Sequence, residues 1–158
     1  MNDLSGNLSS TITKGFSLLY QDLGRRVHAL AEKLSEDQFW TKPYPYGNSV
    51  GHLTLHMSGN LNYYIGAHIA GTGYVRDRDR EFSESAPPSK EEALRRLDDA
   101  VKLVVRTIEA QTADSWATEY RASGADSVEN RFQIVLRCAA HFQHHLGQML
   151  YLVNEHLK

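Results

Sequence analysis

The chain has 158 residues, of which 41% are hydrophobic and 23% charged, with a formal net charge of −2. That balance argues against disorder and against a polycation built for nucleic acid. One cysteine, Cys138, excludes an intrachain disulfide and a cysteine-rich zinc site.

The length predicts a single domain over residues 1–158. No run approaches about 18 consecutive apolar residues, so no membrane span is expected. Met1 to Thr11 has neither the basic region nor the apolar run of a secretory signal. With the lone thiol, this points to a cytoplasmic setting.

Four long helices are predicted. The first covers about Leu8 to Leu34, with Leu8, Ile12, Phe16, Leu19, Leu23, Val27, Leu30 and Leu34 on one face at steps of three and four. The Pro43-Tyr44-Pro45-Tyr46-Gly47 cluster cannot continue a helix. With Trp40, its tyrosines are expected to cover an end of the bundle. The second helix begins at Asn48-Ser49, either of which can cap it, and stops at Gly71-Thr72-Gly73. Its Gly59 and Gly66 are expected on the side away from His56, where another helix could approach. A charged loop, Arg76 to Glu81, follows and reads as a solvated face. The alternative is that one of its arginines grips an anionic substrate group. Ser89 and Glu92 have capping-box spacing at the start of the third helix, whose stripe is Leu94, Leu97, Val101, Val104 and Ile108. Trp116 and Tyr120 fall on a short turn or helix. Ser127 with Asn130 opens the last helix. The pattern predicts an all-α, up-down four-helix bundle with a long cross-connection and room for one short extra helix.

Histidine is the unusual residue, with eight in the chain. On the last helix, Ile134, Cys138, His141, His145, Gln148 and Leu152 follow the steps of a bundle seam. Imidazoles there need a partner, because burying an unsatisfied polar ring costs a few kcal/mol (~2–7). His141 and His145, four apart, stack on one helix face and can converge on a metal ion. His144 is turned away by about 100°. The second helix repeats the pattern: Ser49, Leu53, His56, Asn60, Tyr63 and Ala67 form its seam, and His52 precedes His56 by four. Two helices can thus bring three or four imidazoles to one point. Imidazole suits zinc, nickel, iron or copper, and no carboxylate lies within either stretch to favour magnesium or calcium. Cys138 reads as a small buried apolar residue. No HExxH motif, phosphate loop or Ser-His-Asp order is present.

The stretches Asn48-Ser49-Val50-Gly51-His52-Leu53-Thr54-Leu55-His56-Met57 and His141-Phe142-Gln143-His144-His145-Leu146-Gly147-Gln148 resemble the DinB superfamily. Arg78-Asp79-Arg80-Glu81-Phe82 resembles a subgroup of uncharacterised DinB-like proteins. The resemblance implies a DinB-like bundle, a homodimer, and a divalent metal, zinc or nickel, held by His56, His141 and His145. His52, Asn60, Gln148 and Arg78 are then expected around the ligands or against the substrate. The superfamily includes thiol-dependent transferases and isomerases. The implied function is a metal-dependent thiol transferase that joins a low-molecular-weight thiol to an electrophilic small molecule. A non-catalytic metal-binding or stress-associated bundle and a metal-dependent hydrolase are the alternatives. A cavity opening onto the ligands would favour an enzyme, whereas a site sealed by Leu53, Tyr63 and Leu152 would favour a structural role.

Overall fold

In the computed structural model, which describes residues 4–83 and 86–158, the first apolar stripe becomes helix α1, Leu4–Ala31. The stripe is rotated from the expected one. Phe16, Tyr20, Leu23, Val27 and Leu30 are buried, whereas Leu8 is 61% and Leu19 39% exposed. Tyr20 takes the place expected of Leu19. Its ring fills the core, and its hydroxyl donates to the Val135 carbonyl at 2.7 Å, so nothing polar is left unpaired.

Ser35 and Gln38 form a reciprocal cap on the short helix α2, Glu36–Trp40. Helix α3 spans Val50–Leu61 behind the cap of Ser49, whose Oγ accepts the His52 backbone N–H. The chain then continues as a wider π-helical stretch, Asn62–Ala67, instead of one α-helix to Ala70. Gly71 and Gly73 adopt positive φ where the chain turns away, a conformation that costs glycine little. Helix α4 is Arg80–Ser83 and α5 is Lys90–Glu109. Ser89 caps α5 through the Glu92 N–H. The reciprocal half of the expected box is missing, because the Glu92 carboxylate is taken by Arg95 and Arg96. Helix α6 is Ala113–Trp116, and α7 is Arg131–His156, capped by Asn130.

Helix α1 packs on α5 and α7, and α3 packs on the same two. Thus α1 and α3 occupy opposite corners of a four-helix bundle, and the segment joining them, with α2 in it, crosses the bundle. Phe16, Trp116 and Phe132 interlock between α1, α6 and α7. The fold is all-α. Among the described residues the sole β-type pairing is an isolated bridge between Glu119 and Asn130.

The buried faces of α3 and α7 differ in kind. Helix α3 is buried nearly all round, as expected of a helix wedged between two others. On α7 the core is filled by Cys138, Phe142, Leu146, Met149 and Val153. His141 and His145 flank that stripe and are half-buried, and Gln148 is exposed. The expected placement of all three in the seam is therefore corrected by about one residue of helical rotation, roughly 100°. The apolar residue that follows each takes the centre of the stripe.

Candidate metal centre

Helix α3 carries His56 inward, and α7 brings His141 and His145 to meet it. His56 Nε2 lies 3.1 Å from His141 Nε2, and His145 Nε2 lies 3.0 Å from the same atom. Among the described residues these three form the one group of histidine, cysteine or acidic side chains able to share a metal ion.

The outer nitrogens of His56 and His145 are already committed. His56 Nδ1 donates to Glu81 Oε2 at 2.8 Å. His145 Nδ1 donates to Gln148 Oε1 at 2.7 Å, and the Gln148 amide N–H in turn points at His144 Nε2, 3.2 Å away. Both bonds place the proton on Nδ1 and leave a lone pair on Nε2. Arg76 Nη2 also approaches His56 Nδ1, at 3.3 Å. Two donors cannot bond one another, so the shorter contact to the carboxylate fixes the tautomer.

Two Nε2 lone pairs therefore face His141 Nε2, which can offer a proton to at most one of them. A cation between the three relieves both contacts. Metal–nitrogen bonds of about 2.0–2.1 Å set neighbouring ligand nitrogens roughly 2.9–3.4 Å apart. The two observed separations fall in that range, so the donor set fits a divalent transition metal. Burial, with His145 and His56 alongside, pushes the His141 pKa down to about 3. Burial also lowers that of His145, against the opposing bond to Gln148. Neutral imidazole is the form that ligates a metal.

Glu81 is the residue the sequence did not single out. The Arg76–Glu81 run is not simply a solvated face. Glu81 is buried, and Arg76 holds it through Nε to Oε1 at 2.7 Å and Nη2 to Oε2 at 2.8 Å. Phe82 lies against the His56 ring, with centroids 4.6 Å apart. The carboxylate thought lacking near the histidines thus arrives from α4. Gly59 serves it. A Cβ there would collide with Glu81 Oε1, so this glycine lets α4 bring its carboxylate against α3. Gly66 does allow helix approach within the chain, with Leu103 of α5 against it. The available signal for Glu81 was its place three residues after Arg78 in the DREF run, together with a glycine one turn after His56.

His52 stands apart from the cluster. Its Nδ1 is 2.7 Å from Ser49 Oγ, and its ring meets the Trp40 indole edge-on. Gly51 makes room for that indole, which would collide with any Cβ. Tyr44 stacks on Tyr46 and donates to Glu155. Asn60, Arg78 and Cys138 all line a cavity of about 530 Å³ that reaches His56 and His141. Tyr63 lines it too, and does not close it. The Asn60 Oδ1 is buried with no hydrogen-bond partner. The Cys138 thiol is buried, and its pKa is pushed up to about 12.

The family model of the DinB superfamily matches residues 19–149. A conserved protein from Enterococcus faecalis superposes with a TM-score of 0.73 at 15% identity, over 90% of this chain and 95% of that one. A DinB-like protein from Bacillus cereus superposes with a TM-score of 0.69 at 14% identity, over 90% and 91% of the two chains. No curated protein matches the sequence significantly. Among the described residues no helix is long and apolar enough to cross a membrane.

Proposed function

Because the chain belongs to the DinB superfamily, we propose that it is a metal-dependent thiol transferase whose divalent ion, zinc or nickel, is held by His56, His141 and His145. The observation that carries this is the convergence of three histidines, two of which, His56 and His145, have their Nδ1 bonded elsewhere and their Nε2 turned to the cluster. Three neutral imidazoles would leave the charge of a divalent ion uncompensated and room for a further ligand. Held by these three histidines, a divalent ion would supply the positive charge that favours the thiolate form of a thiol beside it; the thiol proton would leave to solvent, and the sulfur would attack an electrophilic carbon as a leaving group departs.

The protein's own groups do the rest. Glu81 and Gln148 orient two of the rings, and Arg76 holds Glu81 in place. The cavity gives a small molecule access to His56 and His141, which favours catalysis over a purely structural site. The same reading takes the protein as a cytoplasmic homodimer. Exposed Leu18, Leu136, Leu150 and Tyr151 on α1 and α7 offer apolar area for the second copy.

Titration of the cobalt-loaded protein with small thiols tests the proposal. Thiolate-to-cobalt charge-transfer absorption should appear with the intact site and vanish in His141→Ala. If no thiol binds at millimolar concentration while cobalt stays in place, thiol transfer is wrong.

A further inference from the structure

The cavity beside the imidazoles has a one-sided charge. Three arginines line it, Arg76, Arg78 and Arg137, and no aspartate or glutamate does. Their availability differs. Arg76 is spent on Glu81. Arg78 is exposed, with its guanidinium over the Phe82 ring, 5.6 Å from the centroid. Arg137 lies 5.7 Å from the Tyr64 centroid and donates one N–H to the Gly124 carbonyl. A guanidinium carries five N–H donors. Neither Arg78 nor Arg137 has a carboxylate partner among the described residues. Both guanidinium planes are placed by aromatic rings and keep donors free.

Asn60 supplies a second, independent sign of a ligand. It is only 6% exposed, lines the same cavity, and its Oδ1 has no partner. A buried carbonyl left without a hydrogen bond is costly, so such atoms are rare unless something completes them. A cavity of about 530 Å³ is of small-molecule size.

We infer that this cavity receives a small organic oxyanion, with its carboxylate or phosphate held by Arg78 and Arg137 and a hydroxyl or N–H group bonded to Asn60. Planar guanidinium forks match both oxyanions, and the charge-assisted bonds they form are the strong ones. This deepens the reading above, in which the far end of the molecule meets the three histidines.

The test is calorimetric titration of the full chain, dialysed against a chelator so that no metal holds the oxyanion itself. The probes are succinate, glycerol phosphate, propyl phosphate and uncharged butanediol. Succinate or glycerol phosphate should bind and butanediol should not, and the tighter anion identifies the class. Affinity should fall about tenfold in Arg78→Gln, and again in Arg137→Gln. A preference for glycerol phosphate over propyl phosphate should disappear in Asn60→Ala. Arg78 is exposed, so its variant is expected to fold even if Arg137→Gln loosens the loop at Gly124. Absence of binding by both anions, equal binding of butanediol, or an unchanged affinity in Arg78→Gln overturns the inference. No probe carries a thiol and no metal is present. Failure here therefore leaves the thiol proposal standing, and failure of the cobalt titration leaves the oxyanion site standing.

Discussion

The Glu81 carboxylate occupies the space where a side chain at Gly59 would begin. A single missing methyl group thus lets the partner of His56 reach its Nδ1, although the two elements are separated by a long loop. Gly59→Ala should expel Glu81 and lower metal affinity about 10–100-fold, the usual effect of losing a bond that orients a ligand. Glu81→Gln should do the same with less damage to the fold. Gly15 is the control. It lies in α1, and a Cβ there would meet nothing, so Gly15→Ala should stabilise the protein by about 0.5–1 kcal/mol and leave metal affinity alone. Chelator competition and urea melts distinguish the three. Equal affinity in Gly59→Ala and the native protein would sink the argument.

The two histidines of α3 should separate cleanly. His56→Ala should abolish tight metal binding. His52→Ala should keep it and cost about 1 kcal/mol of stability, since His52 serves the cap at Ser49 and the packing of Trp40. Metal titration of both variants decides, and an equal loss at His52 would mean four ligands.

Acid should destabilise the metal-free protein through its histidines. Burial holds His141 at about 3 and lowers His145, while histidine in an unfolded chain titrates near ~6.5. Between those values the unfolded state binds more protons, so stability rises with pH. The contribution is complete above about pH 6.5 and is lost as pH falls toward about 3. Urea midpoints of chelator-treated protein should decline from pH 7 to pH 4, and His141→Gln should flatten the slope. A midpoint independent of pH in the native sequence would contradict it.

Cys138 should be inert in the folded protein. Its sulfur is buried, with a pKa of about 12, so almost none is thiolate at neutral pH. Iodoacetamide at pH 8 should label it only as fast as the chain unfolds. Complete labelling within minutes would make Cys138 a candidate nucleophile and remove the need for an external thiol.

The helices were legible in the sequence because their stripes repeat every three or four residues. The same spacing brought His52, His56, His141 and His145 into consideration, and the family resemblance reduced them to His56, His141 and His145. Tyr20 was missed because its hydroxyl marks it as polar, while its core position depends on a carbonyl 115 residues away on α7. Spacing alone puts Gln148 one residue of rotation, about 100°, too far inward, since it cannot choose between adjacent rows when one holds histidines and the other Phe142, Leu146 and Met149. Glu81 is hidden in the sequence because a charged run ordinarily lies in solvent. Its burial depends on Arg76 and on the space at Gly59, both set by tertiary contact.

The widened turn at Asn62–Ala67 amounts to one residue inserted into α3. It sets the angular phase of the residues that follow Leu61. In this phase the Tyr64 carbonyl accepts from the Tyr120 hydroxyl at 2.8 Å, and the Tyr64 hydroxyl reaches the carbonyls of Ser123 and Gly124. Removing one residue there would restore a regular helix and swing Tyr64 by about 100°. The cavity wall would come apart while His56, nearly two turns upstream, kept its place. Relatives that gain or lose this one residue could therefore exchange what the cavity accepts without touching the three histidines.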